Sequence, residues 1–463
     1  CDKSIPTVLA YKVMNITNYQ VQLLSRNRFV ASCRLASYRS SLTHFTDVEI
    51  ANFDDSQIRL FINNWFSSDL DERVGLAALL WEELNKPQNI LAKELAQTPL
   101  LLTFLCMVYD RSKKLPGNRS VLYQKSLDIL LEEWAAEKRI QLGDIYDGIS
   151  TELEKLLLSE IAYRGFQRNQ FFFREQDLVD QIDLFLEETL APNDVDSKKV
   201  LGAIVEKQGV FVERAEGIFS FSHLTIQEYV TALYISQDYR RVKDAVSQYS
   251  IQKEWKDIFL LTAGLLHTAD ELIEIIEKES RRYIKTEDLK KRLRIFSEEA
   301  EKLNLNLCPA AKRAAVLLIA ISCRVQAQSF PKSKSLAACR NHALFLFNAL
   351  SADFNSNHNR AFRSKYSSLL IDDSVDRSIH LDTRKVPESL TAVVEGLDLR
   401  RSNLLFSLKD GKLLSEDDIR LLRTYLYMNE LAVRCKEAAT RISRDKWEEI
   451  ESILLLIDKI DRR

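Results

Sequence analysis

Between Phe219 and Tyr234 the hydrophobic period of the chain changes within a few residues, and this change constrains the fold more than any other feature. Phe219 and Phe221 alternate with Ser220 and Ser222, the pattern of a half-buried strand, and Ile226, Tyr229, Val230 and Leu233 then fall at i, i+3, i+4 and i+7, one face of a helix. His223 stands at the junction. An imidazole at a strand-to-helix turn, beside the open N–H groups of a helix start, is placed to meet an anion such as a phosphate. The alternative for a lone histidine at such a turn is a structural residue satisfied inside the protein.

The preceding residues complete the pattern. Leu153 to Tyr163, Glu175 to Glu188 and Lys198 to Lys207 read as helices, with Phe171-Phe172-Phe173 as a short extended piece. Gly209 to Arg214 reads as a strand, Ala215-Glu216-Gly217 as a hairpin turn and Ile218 to Phe221 as the partner strand. Helices, a small hairpin and a closing helix describe a winged helix over residues 141–240. Such folds often bind DNA, but Thr225 to Tyr234 carries no Lys or Arg and does carry Glu228, the wrong surface for a major groove.

The rest of the chain reads as helix. Its 463 residues include only 11 Gly and 8 Pro, with 29% charged and 46% hydrophobic residues, so the expected fold class is mainly α, in about three domains. A net charge of −2 gives no general attraction to nucleic acid or membrane. Seven cysteines with no C-x-x-C pair fit reduced thiols in a cytoplasmic protein and argue against a disulfide framework or a zinc site. The most apolar run, Ala314 to Cys323, is too short to span a bilayer and reads as a buried helix. Because the chain opens on Cys1 and in mid-pattern, it is expected to be part of a longer protein.

Three further stretches carry possible chemistry. Residues 1–46 hold six Lys or Arg against the single acid Asp2, and Arg28 to Arg34 reads as a short strand with Arg34 at its carboxyl end. Ligands of open α/β sheets bind at that end, so Arg34 is either placed for phosphate or a surface residue closing a strand. Asp54 or Asp55 caps a helix with Ile58, Phe61, Ile62 and Trp65 on its apolar face. Thr98 caps a helix with Pro99 at its first position, where the missing N–H costs nothing, or where the ring packs on a planar ligand. The expected organisation is a remnant of an α/β core at 1–47, a helical lid at 48–140, the winged helix at 141–240 and a helical domain at 241–325. A polar linker follows at 326–335, then a separately packed helical domain at 336–463. Asp270 to Ala300 reads as one highly charged, solvated helical stretch.

Together these pieces resemble the later part of a NACHT-type STAND NTPase. Ser32-Cys33-Arg34 is similar to the sensor-1 segment, Thr98 to Leu102 to the proline motif of the helical lid, Asn118 to Tyr123 to the helix opening that closes the lid, and Phe221 to Tyr229 to the winged-helix signature. Trp255 to Leu266 is similar to the segment that follows the winged helix in bacterial members. The resemblance implies that Arg34 approaches a γ-phosphate, Pro99 packs against adenine and His223 holds the β-phosphate of bound ADP. It implies ATP or ADP with Mg²⁺ as cofactor, homo-oligomerisation on activation, and an effector domain and NTPase half on other sequence. It also implies a protein or nucleic-acid trigger read by the C-terminal region, with no membrane partner.

The chain departs from that family in lacking G-x-x-x-x-G-K-[ST] and the paired acids that hold magnesium. It is therefore expected to be inactive as an ATPase by itself. The leading functional expectation is the C-terminal portion of a nucleotide-controlled oligomerisation switch in antiviral defence or signal transduction. The alternative is a nucleotide-free helical scaffold or adaptor descended from such a protein. A winged-helix transcription factor ranks third because of Glu228.

Overall fold

The computed structural model describes residues 51–116, 118–129, 151–189, 196–206, 210–304, 307–326, 334–351 and 415–456. The chain divides into two compact units, 1–237 and 238–463.

In the first unit, helix α1 (Asp55–Trp65) starts at Asp54, whose carboxylate accepts from Gln57 N at 2.8 Å while Asp54 N donates to the Gln57 side chain at 3.0 Å. This reciprocal box satisfies two donors at the helix start. Helix α2 (Asp69–Val74) repeats the device with Ser68 and Asp71 and stops at Gly75, whose φ of 71° suits a residue without Cβ. Helices α3 (Leu76–Leu84), α4 (Ile90–Ala96) and α5 (Pro99–Ser112) follow. Leu76, Leu80, Leu84, Leu101, Leu102 and Leu105 are buried. The expected apolar face of α1 holds for Ile58 and Ile62 but not for Trp65, which is 41% exposed. The helix ends at Trp65; Phe66 leaves the helical conformation and is buried in its stead, and Trp65 stacks outside on Phe61 at 6.1 Å.

Helix α6 is described over 119–129, and the Asn118 side chain opens it by accepting from Val121 N at 2.9 Å. The sequence reading assigned this helix to the lid. The structure also ties it to the winged helix, because Asp128 pairs with Lys155 at 2.7 Å and Tyr123 stacks on Tyr229.

The winged helix itself runs α7 (Thr151–Gln167), β1 (Phe173–Arg174), α8 (Glu175–Thr189), α9 (Ser197–Glu206), β2 (Phe211–Ala215), β3 (Ile218–Phe221) and α10 (Leu224–Ser236). Its antiparallel sheet has the order β1-β3-β2, with Phe173 opposite Phe219 and Phe211 opposite Phe221. Gly217 turns the hairpin at φ 67°, and its N–H donates to Glu213 at 2.8 Å. Phe173, Phe211 and Phe221 form one aromatic core, with centroids 4.4 to 6.2 Å apart. Of the expected extended piece, only Phe173 joins a strand; Phe172 is 50% exposed. Ser220, expected on a wet face, is buried because Arg214 lies across it and donates to its hydroxyl at 2.9 Å. α7 packs on α10, where Tyr163 stacks on Tyr234 at 4.6 Å. Gly165 lets α7 lie close against β1, the loop before it and α10: a Cβ there would meet Phe173 at 2.8 Å, the Gln170 carbonyl at 3.0 Å and the Gln227 side chain of α10 at 3.1 Å.

The second unit consists of α11 (Tyr239–Tyr249), α12 (Lys256–Leu265), α13 (Asp270–Ser280), α14 (Glu287–Glu301), α15 (Pro309–Gln326), α16 (Lys334–Ser351), α17 (Glu416–Ala438) and α18 (Arg444–Ile453). α17 carries three acids in its first turn and Lys436 in its last, matching the helix dipole. It packs against α12, α13 and α16. This corrects the boundary expected at 326–335. Elements from either side share one core, joined by Ala269 N to Arg441 O at 3.1 Å, Thr440 Oγ1 to Gly264 O at 2.7 Å and Arg313 to the carbonyls of Leu454 and Ser452 at 2.9 and 2.7 Å. α17 buries apolar turns against α12 and α13 as well as against α16, so it completes the core of the earlier helices.

The stretch from Asp270 to Ala300 is likewise two helices, broken by a 3₁₀ turn at Arg281–Tyr283. Charges such as Arg282 and Glu287 are solvated as expected, but Glu277, Arg292 and Glu299 are buried and paired, Glu277 with Arg281 at 2.7 Å. Ala314 to Ile321 is buried, as expected. Among the described residues no helix is long and apolar enough to cross a membrane, and no group of His, Cys, Asp or Glu is arranged to hold a metal.

Candidate functional site

Two of the three candidate residues fall in the first unit. Pro99 is the first residue of α5, exposed, after Thr98 in extended conformation, and Thr98 O accepts from Leu102 N at 2.9 Å. The start of this helix is anchored by Phe53 N donating to Gln97 O at 2.8 Å. Arg34 lies outside the described residues.

His223 is the N-cap of α10, in extended conformation, and is exposed. Its carbonyl accepts from Ile226 N and Gln227 N at 3.1 and 3.3 Å, while its imidazole makes no capping bond to the helix. The hairpin fixes the backbone before it: Ser222 N donates to Val210 O at 2.8 Å, and the Arg214 guanidinium donates to Ser222 O at 3.1 Å. His223 is thus held by both β2 and α10 with its ring at the surface, not in the apolar core.

α5 and α10 meet through Tyr123 of α6. Phe104 of α5 packs edge-on against the Tyr123 ring at 5.7 Å, and Tyr229 of α10 stacks on it at 5.6 Å and 16°. The small gap among these rings is lined by Phe104, Tyr123, Ser126, Leu127, Ile226 and Tyr229. The Tyr123 hydroxyl lies close to the Thr225 hydroxyl and the Arg119 guanidinium yet outside hydrogen-bonding geometry with either, and burial raises its pKa. Arg119 also faces the Tyr123 ring, 5.6 Å from its centroid. Sequence reasoning quoted Arg119 and Tyr123 only as a helix opening. Their position beside Thr225 and Tyr229 of α10 could not be read from either segment alone, because it depends on how α6 and α10 pair.

α10 is buried almost all round. Ile226, Tyr229 and Val230 are in the core as expected, but so are Gln227, Glu228 and Thr231. Glu228 therefore does not mark an acidic outer surface; the helix has no free face to present to a groove, and the conclusion against DNA reading rests on burial instead. Among the described residues of the first unit the cysteine is no nucleophile: Cys106, next to Leu105 in α5, is buried and its thiol is pushed up to about 12.

A three-stranded antiparallel sheet with a hairpin wing and a closing helix defines the class of the first unit as a winged-helix domain, followed by an all-helical unit. Two family profiles match the chain: the winged helix-turn-helix domain C-terminal to NACHT, over residues 119–235, and the NACHT C-terminal helical domain 2, over residues 407–457. The chain is the C-terminal part of a NACHT-family protein. The first match starts at α6, in agreement with the contacts that bind this helix to α7 and α10. No curated protein gives a significant match.

Proposed function

We propose that this chain is the lid, winged-helix and C-terminal portion of a nucleotide-controlled oligomerisation switch, acting in defence or signal transduction. Its phosphate loop and Mg²⁺ ligands would lie on sequence ahead of Cys1. The observation that carries the reading is that Pro99 and His223 are exposed starts of two helices that lock onto the same residue, Tyr123. A nucleotide that touched both would hold α5 and α10 in one arrangement, with Pro99 against the base and His223, with Arg34, on phosphate oxygens. Arg119 would add positive charge near the start of α10.

Tight binding of a triphosphate needs glycine-loop N–H groups, a lysine on the β- and γ-phosphates and groups for Mg²⁺, and hydrolysis needs the same set. Calorimetric titration of ADP into purified 1–463 is therefore expected to show no micromolar isotherm, only contact on the order of millimolar. ATP turnover is expected to be no higher than that of an Arg34→Ala, His223→Ala double variant. A micromolar isotherm abolished by those substitutions would show a pocket complete without a phosphate loop and overturn this division of labour.

A further inference from the structure

The second unit contains a cluster of charged side chains in which one cation has no partner among the described residues. At its centre is Glu430 of α17, 5% exposed, and both carboxylate oxygens are taken: Oε2 lies 2.7 Å from His342 Nδ1 of α16, and Oε1 accepts from Arg434 Nε at 2.6 Å. The Arg434 guanidinium is further held over the Phe345 ring at 3.9 Å.

Lys256, the first residue of α12, faces this cluster. It is half-buried, and its ammonium makes no hydrogen bond or ion pair with any described residue. Its charged neighbours are Arg434, Glu430, Asp257 and Lys253, so two of the four repel it, and one of the two acids is already shared by His342 and Arg434. Burial, and then Arg434, hold its pKa below the ordinary lysine range.

Tyr427 lies nearly one turn before Glu430 on α17, its ring 5.7 Å from that of His342. Its hydroxyl is buried beside Glu430, Arg434 and Asp257 and has no hydrogen-bond partner. One turn earlier on α17, Arg423 stands near the exposed Lys253 and makes no ion pair with any described residue.

An uncompensated, partly buried ammonium and an orphaned buried hydroxyl each raise the free energy of the fold. Both are donors. A tetrahedral oxyanion offers acceptors in several directions and a charge that offsets the surplus of cations, and hydrogen bonds to it would be of the strong, charge-assisted kind. We propose that Lys256, Tyr427, Arg423 and Lys253 form a binding site for a phosphate group, either free phosphate or the terminal phosphate of a small phosphomonoester. Lys256 and Tyr427 would donate to its oxygens, and Arg423 and Lys253 would add positive charge beside it. The site lies in the second unit and does not involve Pro99 or His223, so it stands whether or not those residues face a nucleotide.

The test is the thermal unfolding midpoint of 1–463, titrated with inorganic phosphate against chloride at equal ionic strength, with calorimetry alongside. Phosphate stabilises many proteins weakly by exclusion from their surface, without saturating; a bound ligand gives a rise that saturates. Wild type is expected to show a saturable rise with half-effect on the order of 1 mM. Lys256→Met removes an unpaired, partly buried charge, so its midpoint in chloride is expected to equal or exceed wild type, with the saturable rise gone; Lys256→Arg is expected to keep the rise. Glycerol 1-phosphate distinguishes the sources: a matching response assigns the site to phosphomonoesters, and a response to inorganic phosphate alone assigns it to the free anion. The proposal is overturned if wild type shows no saturable rise, or if Lys256→Met shows the same rise as wild type.

Discussion

Replacing Trp255 with alanine is expected to destabilise the second unit by about 3–5 kcal/mol, the range for emptying a large aromatic site in a packed core. Trp255 is 2% exposed, stacks face to face on Tyr249 at 4.0 Å and 9°, and meets Phe259 at 6.4 Å. It thus joins α11 to the start of α12, which in turn packs on α17. With two units in one chain, a single unfolding curve is not a two-state measurement, so the effect is best read as amide hydrogen exchange by segment in mild urea. Exchange should accelerate across α11, α12 and α17 and stay unchanged in β2, β3 and α10. A loss of protection below about 1 kcal/mol in α12 would mean that the stack is peripheral to the core.

Tyr123→Ala is expected to cost a similar amount, about 3–5 kcal/mol, in the first unit, because it deletes the ring shared by Phe104 and Tyr229. Tyr123→Phe provides the contrast. It keeps the ring and removes only a buried hydroxyl without a partner, so stability should change by less than about 1 kcal/mol or rise slightly. Urea denaturation followed by the exchange of α5 and α10 amides would measure both. If Tyr123→Phe is as damaging as Tyr123→Ala, the hydroxyl has a partner in solution and the stack is not what joins these helices.

What could be read from sequence was local. Asp54 as a cap, Thr98 with Pro99 at a helix start, the glycine of the hairpin and the strand from Ile218 to Phe221 are each decided by a few neighbouring residues, and the structure has them as expected. The errors came where a distant element decided the outcome. Ser220 is buried by Arg214 from the neighbouring strand, Glu228 is buried although its sequence neighbours gave no sign of it, and Trp65 yields its place to Phe66 only because the helix stops there. The expected separate packing of 336–463 failed for the same reason: a polar stretch marks a loop, but whether the helices beyond it share a core with those before it is settled by partners such as Arg313 and the carbonyls of Ser452 and Leu454. At the candidate site, His223 was legible from the change of period, while its support by Arg214 and its link through Tyr123 to the helix of Pro99 were not.

The central claim is that the winged helix contributes His223 to a nucleotide phosphate. It is tested most directly by calorimetric titration of ADP into a polypeptide in which the phosphate-loop half precedes residues 1–463, comparing wild type with His223→Ala. Loss of one charge-assisted hydrogen bond to phosphate predicts ADP affinity weakened at least about ten-fold, roughly 1.4 kcal/mol or more. Equal affinity in the two proteins, with His223→Ala folded normally, would contradict the claim and leave His223 as a cap of α10 alone.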